Sequence, residues 1–120
     1  MEIVIHEHCG DKIAEVRAEG VAFTEVGDAL DAMADAYHQG ADALVLHATN
    51  LTPGFFDLKT GLAGEVLQKF TNYGIRLAIV GDFEAVESKS LRAFIAESNR
   101  GRHVAFVADL ETALERLRSS

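Results

Sequence analysis

The sequence predicts an α/β fold, a single-domain mixed sheet of about five strands with four helices in the order ββαβαβαβα. Three nearly continuous apolar runs alternate with segments whose apolar residues recur at helical spacing, which is typical of parallel strands joined by right-handed helical crossovers. An alternating segment at the start adds an antiparallel hairpin. The length of 120 residues with 48% hydrophobic residues fits one core, so residues 1–120 are expected to form a single domain.

The elements follow in order along the chain. Residues 2–8 and 12–19 are expected to form the hairpin, because Gly10 between them can take a positive φ. A helix is expected over residues 24–39 and ends at Gly40, and a central strand follows at residues 43–48. Later helices are expected at 60–73, at 88–99 and after the N-cap Asp109, alternating with strands at 75–81 and 103–108.

The charge of the chain limits its partners. Eleven basic against 19 acidic residues give a net charge of -8, which disfavours nucleic acid and anionic membrane surfaces. Residues 1–60 hold 3 basic and 11 acidic side chains, whereas residues 61–120 hold 8 of each. The basic residues Lys89, Arg92, Arg100 and Arg102 around the third helix are typical of a solvated face, or of a surface for a phosphorylated ligand or another copy.

Neither a signal peptide nor a membrane span is visible, so a cytoplasmic protein is expected. The lone Cys9 cannot form an internal disulfide. His6, His8 and His47 could share a sheet face near Cys9. A zinc or copper site would need a fourth ligand, and a regular strand points the neighbouring side chains to the opposite face. We therefore expect surface histidines, no metal and no cofactor.

Ligands of open α/β sheets gather beyond the carboxyl ends of the strands. Those ends carry Thr49 and Asn50, then Asp82, then Asp109, with the 53–60 loop nearby. These side chains could hold Mg²⁺ or a phosphate. Helix capping by Asp109 and by Asp57 is the simpler interpretation.

The loop before the second helix contains Phe55-Phe56-Asp57-Leu58-Lys59-Thr60-Gly61-Leu62. A hydroxyl at a helix N-terminus is a favourable position for a phosphate, because free N–H groups and the helix dipole stabilise negative charge. Thr60 is thus a candidate phospho-acceptor, with N-capping as its alternative. Phe55 and Phe56 are expected to lie under the second helix or to contact a partner.

The strand-helix order and this loop resemble the sulfate-transporter and anti-sigma-factor-antagonist (STAS) domain, whose loop reads Phe-x-Asp-Ser-Ser/Thr-Gly-Leu-Gly. Phe55, Phe56, Asp57, Gly61 and Leu62 match it, and Thr60 stands where that family has its phosphorylated hydroxyl. The segments FFDLKTGLAGEVLQKFTNYGIRLAIVGDF and SKSLRAFIAESNRG, and the chain from end to end, more closely resemble a bacterial family of unknown function, the domain-of-unknown-function family 4180. That resemblance implies no activity.

The expected function is that of a non-enzymatic regulatory or protein-interaction module of STAS-like fold, switched by phosphorylation near Thr60. A protein partner is expected to bind the loop of residues 49–60 and the second helix, where Asp57 orients the loop beside Thr60. A homodimer is an open alternative. The alternative function is a small-ligand or nucleotide-binding domain that uses Asn50, Thr60 and Asp82 at the strand ends. Catalysis is the least favoured class, because no nucleophile-base pair can be recognised from the spacing.

Overall fold

The computed structural model describes residues 1–8 and 10–118 and confirms the predicted α/β class. The strands and helices are, in chain order, β1 (Glu2–His8), β2 (Asp11–Arg17), α1 (Val26–His38), β3 (Ala43–His47), α2 (Leu62–Tyr73), β4 (Arg76–Val80), α3 (Lys89–Arg100), β5 (Val104–Val107) and α4 (Leu110–Leu117). Three short 3₁₀ turns, at Ala48–Asn50, Pro53–Phe56 and Leu58–Thr60, connect β3 to α2.

The five strands form one mixed sheet in the order β1-β2-β3-β4-β5. The hairpin strands β1 and β2 are antiparallel, with Glu2 opposite Arg17 and His6 opposite Ile13. The β2–β3, β3–β4 and β4–β5 pairs are parallel. This is the arrangement expected from one opening hairpin followed by helical crossovers.

The helices cover the two faces of the sheet unequally. Contacts of α1 with β3, of α2 with β4 and of α3 with β5 build the larger core on one face, where Leu44, Phe70 and Leu77 are fully buried. On the other face α4 packs against β3, β4 and β5, and its Ala113 and Leu117 join Val45 and Ala78 in a smaller core. The second face therefore has one helix for five strands.

The side of the sheet beside α4 is left uncovered over the hairpin. Ile13 belongs to the core under α4, so alternation along β2 places Glu15 and Arg17 on that same face. Their antiparallel partners share it. We call this surface the open face and define it by Glu2, Val4, His6, Glu15, Arg17 and His47.

Two helix starts differ from the sequence-based expectation. Helix α1 begins at Val26 and not at Thr24, because the Asp28 carboxylate accepts hydrogen bonds from the backbone N–H groups of Thr24 and Glu25. Helix α2 begins at Leu62 and not at residue 60, since Gly61 adopts a left-handed conformation with φ of 77°. Asp57 caps the Leu58–Thr60 turn, so its expected role at α2 is wrong. Asp109 caps α4 as predicted, accepting from the Thr112 N–H at 2.8 Å.

Candidate functional site

A buried glutamate forms the centre of the open face. Glu15 is only 2% exposed, although α4, the helix of the described residues that packs on this face, contacts β3, β4 and β5. Its neighbours across the strands are Val4 on β1 and Val45 on β3. The carboxylate is therefore desolvated by side chains of the sheet itself.

Three side chains bind this carboxylate. The Nε2 atom of His6 lies 2.9 Å from Oε1, and the Nε2 atom of His47 lies 2.7 Å from Oε2. Arg17 approaches Oε1 with two atoms, Nε at 3.1 Å and Nη2 at 3.0 Å. Both carboxylate oxygens of Glu15 are thus hydrogen-bonded, which a buried carboxylate requires.

The strand register explains why these residues meet. His6 lies opposite Ile13, two positions before Glu15 on β2, and His47 lies two positions beyond Val45, the neighbour of Glu15 on β3. Diagonal neighbours on adjacent strands are within reach of long side chains. His6 therefore approaches Glu15 from β1 and from the start of β2, whereas His47 approaches it from β3 and from the end of β2.

These contacts keep Glu15 ionised. Burial raises the pKa of the carboxyl group, but hydrogen bonds from Arg17, His6 and His47, together with the charge of Arg17, outweigh it and lower the pKa from 4.5 to about 2. An ionised carboxylate can only accept hydrogen bonds, so each histidine Nε2 must carry a proton. In the neutral form of each ring, Nδ1 is consequently a hydrogen-bond acceptor.

In this neutral form, the two Nδ1 atoms lie on the open face together with the Arg17 cation. The side chains of His6 and His47 are 26% and 28% exposed, and that of Arg17 is 51% exposed, so a bound molecule can reach all three. A metal ion fits poorly, because the Arg17 guanidinium lies against the carboxylate that would bind it. Within residues 1–8 and 10–118, no group of three or more His, Cys, Asp or Glu side chains is arranged to hold a metal.

The histidines are the part of this site that the sequence indicated. His6 and His47 do share a sheet face, and both are partly buried against Glu15. Cys9 and the side chain of His8 lie outside the described part of the chain. Glu15 itself was missed, because an acid between Ala14 and Val16 has the ordinary alternation of a half-exposed strand. The sequence does contain one signal for Glu15. It lies two residues after Ile13 on β2, so its side chain points to the same face as that of Ile13, the face that carries His6.

Asn50 has a structural contact that sequence reasoning did not anticipate. Its buried side-chain amide donates to the carbonyl oxygens of Ala18 at 2.8 Å and Gly20 at 2.7 Å. The backbone carbonyl oxygen of Asn50 accepts hydrogen bonds from the backbone N–H groups of Ala22 and Phe23. These bonds fasten the connection between β2 and α1 to the end of β3.

The two aromatic residues of the 53–60 loop lie mainly inward. Phe55 is buried in the larger core, and Phe56 is half-buried with its ring centroid 5.1 Å from that of Phe55. Phe56 also packs near Phe83, which contacts Phe106 of β5 edge to face. Phe55 is therefore a core residue, and Phe56 packs against both Phe55 and Phe83.

Thr60 and Asp57 are exposed in the same loop. The Oγ1 atom of Thr60 lies 2.7 Å from the Gly54 carbonyl oxygen and 2.9 Å from that of Asp57, and it accepts from the Leu62 N–H at 3.2 Å. The Asp57 carboxylate accepts from the Lys59 N–H. Thr60 also lines a depression of about 530 Å³ between the start of α1 and the start of α2.

The candidate residues at the strand ends do not form one cluster. Asn50 is buried, Thr60 lines the depression beside α1, and exposed Asp82 lines a different depression beside α3.

No helix of the described ranges is long and apolar enough to cross a membrane.

A comparison of the sequence with models of protein families identifies the family of the chain. The model of a domain of unknown function, DUF4180, matches residues 8–117. The chain belongs to this family. The resemblance to family 4180 is thereby confirmed, and the DUF4180 match spans β2, β3 and all four helices. Neither the curated proteins nor the solved structures contain a match to the chain.

Proposed function

We propose that this DUF4180 protein is a non-enzymatic regulatory module that binds a protein partner on its open face. The observation that carries the proposal is the Glu15 carboxylate, 2% exposed and held by His6, His47 and Arg17 on the half of the sheet that α4 leaves uncovered.

The energetics of the Glu15 cluster favour a role in recognition. Removing charged groups from water costs several kcal/mol per ion, and apolar residues of similar volume often give equal or greater stability at such sites. A carboxylate with Val4 and Val45 as its strand neighbours is thus not the most stabilising choice for this position. Its specific effect is to fix two imidazole rings and one guanidinium in a defined orientation.

The surroundings of the Glu15 cluster suit a protein partner. The open face offers half-buried Val4, which lies opposite Glu15 and two residues before His6. Strand β1 is the edge strand of the sheet formed by the described residues. A helix or strand of a partner can lie beside α4 and complete the second layer. Hydrogen-bond donors and a carboxylate on that partner would complement the two Nδ1 atoms and Arg17.

The hydrogen bonds of the histidines do not form a catalytic pair. In the described part of the chain, both rings bond to Glu15 and neither bonds to a hydroxyl or thiol. A general base of a nucleophilic enzyme lies within hydrogen-bond reach of its nucleophile. This geometry supports binding over acyl or phosphoryl transfer.

A comparison of two proteins tests the proposal. The wild type and the variant H6V/E15L/H47V, in which the whole cluster becomes apolar, would be used to purify partners from the native host. We expect the wild type alone to retain a partner, and the purified partner to shift amide resonances of β1 and β2. Equal retention by both proteins, or shifts confined to the 49–60 loop and α2, would contradict the open face as the docking surface.

A second candidate function is a phosphorylation switch at Thr60. The observation that favours it is an exposed hydroxyl whose proton bonds to the Gly54 or Asp57 carbonyl. A phosphate ester has no such proton and adds a charge of about -1.5 to -2, so it would open this turn. We expect a mass increase at Thr60 after incubation with host kinases, and altered partner binding for Thr60→Glu but not for Thr71→Glu on the exposed side of α2.

A further inference from the structure

Five arginines line one depression near the start of β4, at the opposite end of the parallel strands from their carboxyl ends. They are Arg76 at the start of β4, Arg100 and Arg102 around the end of α3, and Arg116 and Arg118 around the end of α4. The depression has a volume of about 630 Å³. It thus gathers five of the 11 basic residues of a chain whose net charge is -8.

Acidic neighbours offset only part of this charge. Glu97 binds Arg100 at 2.9 Å, Asp42 lies 3.6 Å from Arg76, and Glu115 lines the depression. These carboxylates leave an excess of two positive charges. A phosphate monoester near pH 7 carries a charge of about -1.5 to -2, which matches that excess.

Several of the arginines are already held in place. The Nη2 atom of Arg116 donates to the carbonyl oxygens of Asn99 at 3.0 Å and Gly101 at 3.4 Å. The side chain of Arg76 is only 20% exposed. Arg102 and Arg118 have no hydrogen-bond or ion-pair partner within residues 1–8 and 10–118, so their guanidinium groups are available to a ligand.

Helix capping explains part of this cluster and not the rest. Basic side chains are favourable at helix C-termini, which accounts for Arg100 and Arg116 in the last turns of α3 and α4. Arg118 is the C-cap residue of α4, whereas Arg76 lies in a strand and Arg102 lies beyond the C-cap of α3. Two arginines, Arg76 and Arg102, therefore line the depression without belonging to a helix end.

We propose that this depression binds a small molecule that carries a phosphoryl group. Guanidinium groups form bidentate, charge-assisted hydrogen bonds with phosphate oxygens, and the concave shape suits a small ligand more than a polymer. The depression is lined by residues of β4, α3, α4 and the segments that follow these helices, whereas the open face is formed by β1, β2 and β3. Its ligand does not depend on the partner proposed for the open face.

The test uses inorganic phosphate, pyrophosphate and ADP at constant ionic strength, followed by amide chemical shifts and calorimetry. We expect saturable shifts around residues 99–102 and 116. The variant R102A/R118A should weaken pyrophosphate binding by about tenfold or more, because it removes two exposed charged contacts. The control K89A/R92A removes the same charge from the first half of α3 and should change the dissociation constant by less than about twofold.

Four results would overturn the proposal. Equal weakening in R102A/R118A and K89A/R92A would show that bulk charge alone attracts the anion. Sulfate binding as tightly as pyrophosphate, or no saturable shift with any probe, would remove the phosphoryl specificity. A glutamate-rich peptide binding more tightly than pyrophosphate would reassign the depression to an acidic protein segment. The variant H6V/E15L/H47V should bind pyrophosphate normally, which separates this site from the open face.

Discussion

His47 and Glu15 lie 32 positions apart in the chain, and the Nε2 atom of His47 bonds to the Oε2 atom of Glu15 at 2.7 Å. The same carboxylate binds His6 of the edge strand through its other oxygen. One buried acid thus joins the first three strands of the sheet and fixes the orientation of two imidazole rings on its open face.

The histidine tautomers follow from this geometry. Because Glu15 is ionised at neutral pH, its oxygens accept and the histidine Nε2 atoms donate. We expect long-range ¹H–¹⁵N NMR spectra at neutral pH to show a proton on Nε2 of both His6 and His47. His38, exposed at the end of α1, serves as the internal control. A protonated Nδ1 with a bare Nε2 in either ring would contradict the assigned hydrogen bonds.

Substitution of Glu15 alone should be far more damaging than substitution of the whole cluster. In Glu15→Gln the amide group places a donor against rings and a guanidinium that also donate, and the expected loss is roughly 3–5 kcal/mol of unfolding free energy. Urea denaturation measures it. The exposed neighbour Glu19→Gln should change stability by less than about 0.5 kcal/mol.

The same measurement on H6V/E15L/H47V should give a stability near that of the wild type, because no buried charge is left unpaired. A large loss in this variant would show that the cluster contributes stability that apolar packing cannot replace.

The low pKa of Glu15 predicts how stability depends on pH. Since the folded value of about 2 lies below the ordinary 4.5, the carboxylate contributes fully above about pH 4.5 and its contribution is lost as the pH falls toward 2. The expected size is roughly 3 kcal/mol. Urea denaturation of wild type and Glu15→Gln over this range isolates it, because other acids such as Asp28 and Asp109 titrate in both proteins. Parallel curves would refute the assignment.

Two glycines should respond to alanine in opposite directions. A Cβ atom at Gly81 would lie 2.7 Å from Cβ of Ala48 and 3.0 Å from the ring of Phe83. We expect Gly81→Ala to lose about 1–3 kcal/mol through overpacking. Gly64 in α2 has open space around it, so Gly64→Ala should gain about 0.5–1 kcal/mol. Thermal unfolding distinguishes the two, and a neutral Gly81→Ala would mean that both Ala48 and Phe83 shift at little cost.

Asn50 should behave as a structural residue and not as a ligand residue. In Asn50→Asp the carboxylate cannot donate to the carbonyl oxygens of Ala18 and Gly20, so we expect a loss of roughly 3 kcal/mol in urea denaturation. The control Asn72→Asp keeps the oxygen that accepts from Gln68 and should be nearly neutral. An unchanged stability of Asn50→Asp would return Asn50 to the ligand candidates.

The sequence alone determined the order of the elements and most of their bounds. Apolar periodicity distinguished helices from strands, and local residues such as Gly40, Gly74 and Asp109 marked helix ends, because capping depends on only a few neighbouring residues. It misplaced the start of α2, where the left-handed Gly61 separates the helix from a preceding 3₁₀ turn. The resemblance to family 4180 also came from the sequence, and the family match confirms it.

Only the tertiary structure decided which polar residues meet. Glu15 reads locally as the solvent side of an alternating strand, yet His6 and His47 bury it from positions 9 and 32 residues away. The five arginines of the depression, of which Arg76 is the first and Arg118 the last along the chain, likewise come from the ends of two helices and from a strand. Periodicity reports which face a residue occupies, whereas its contacts depend on strand order and register, which are set by the packing of the whole sheet.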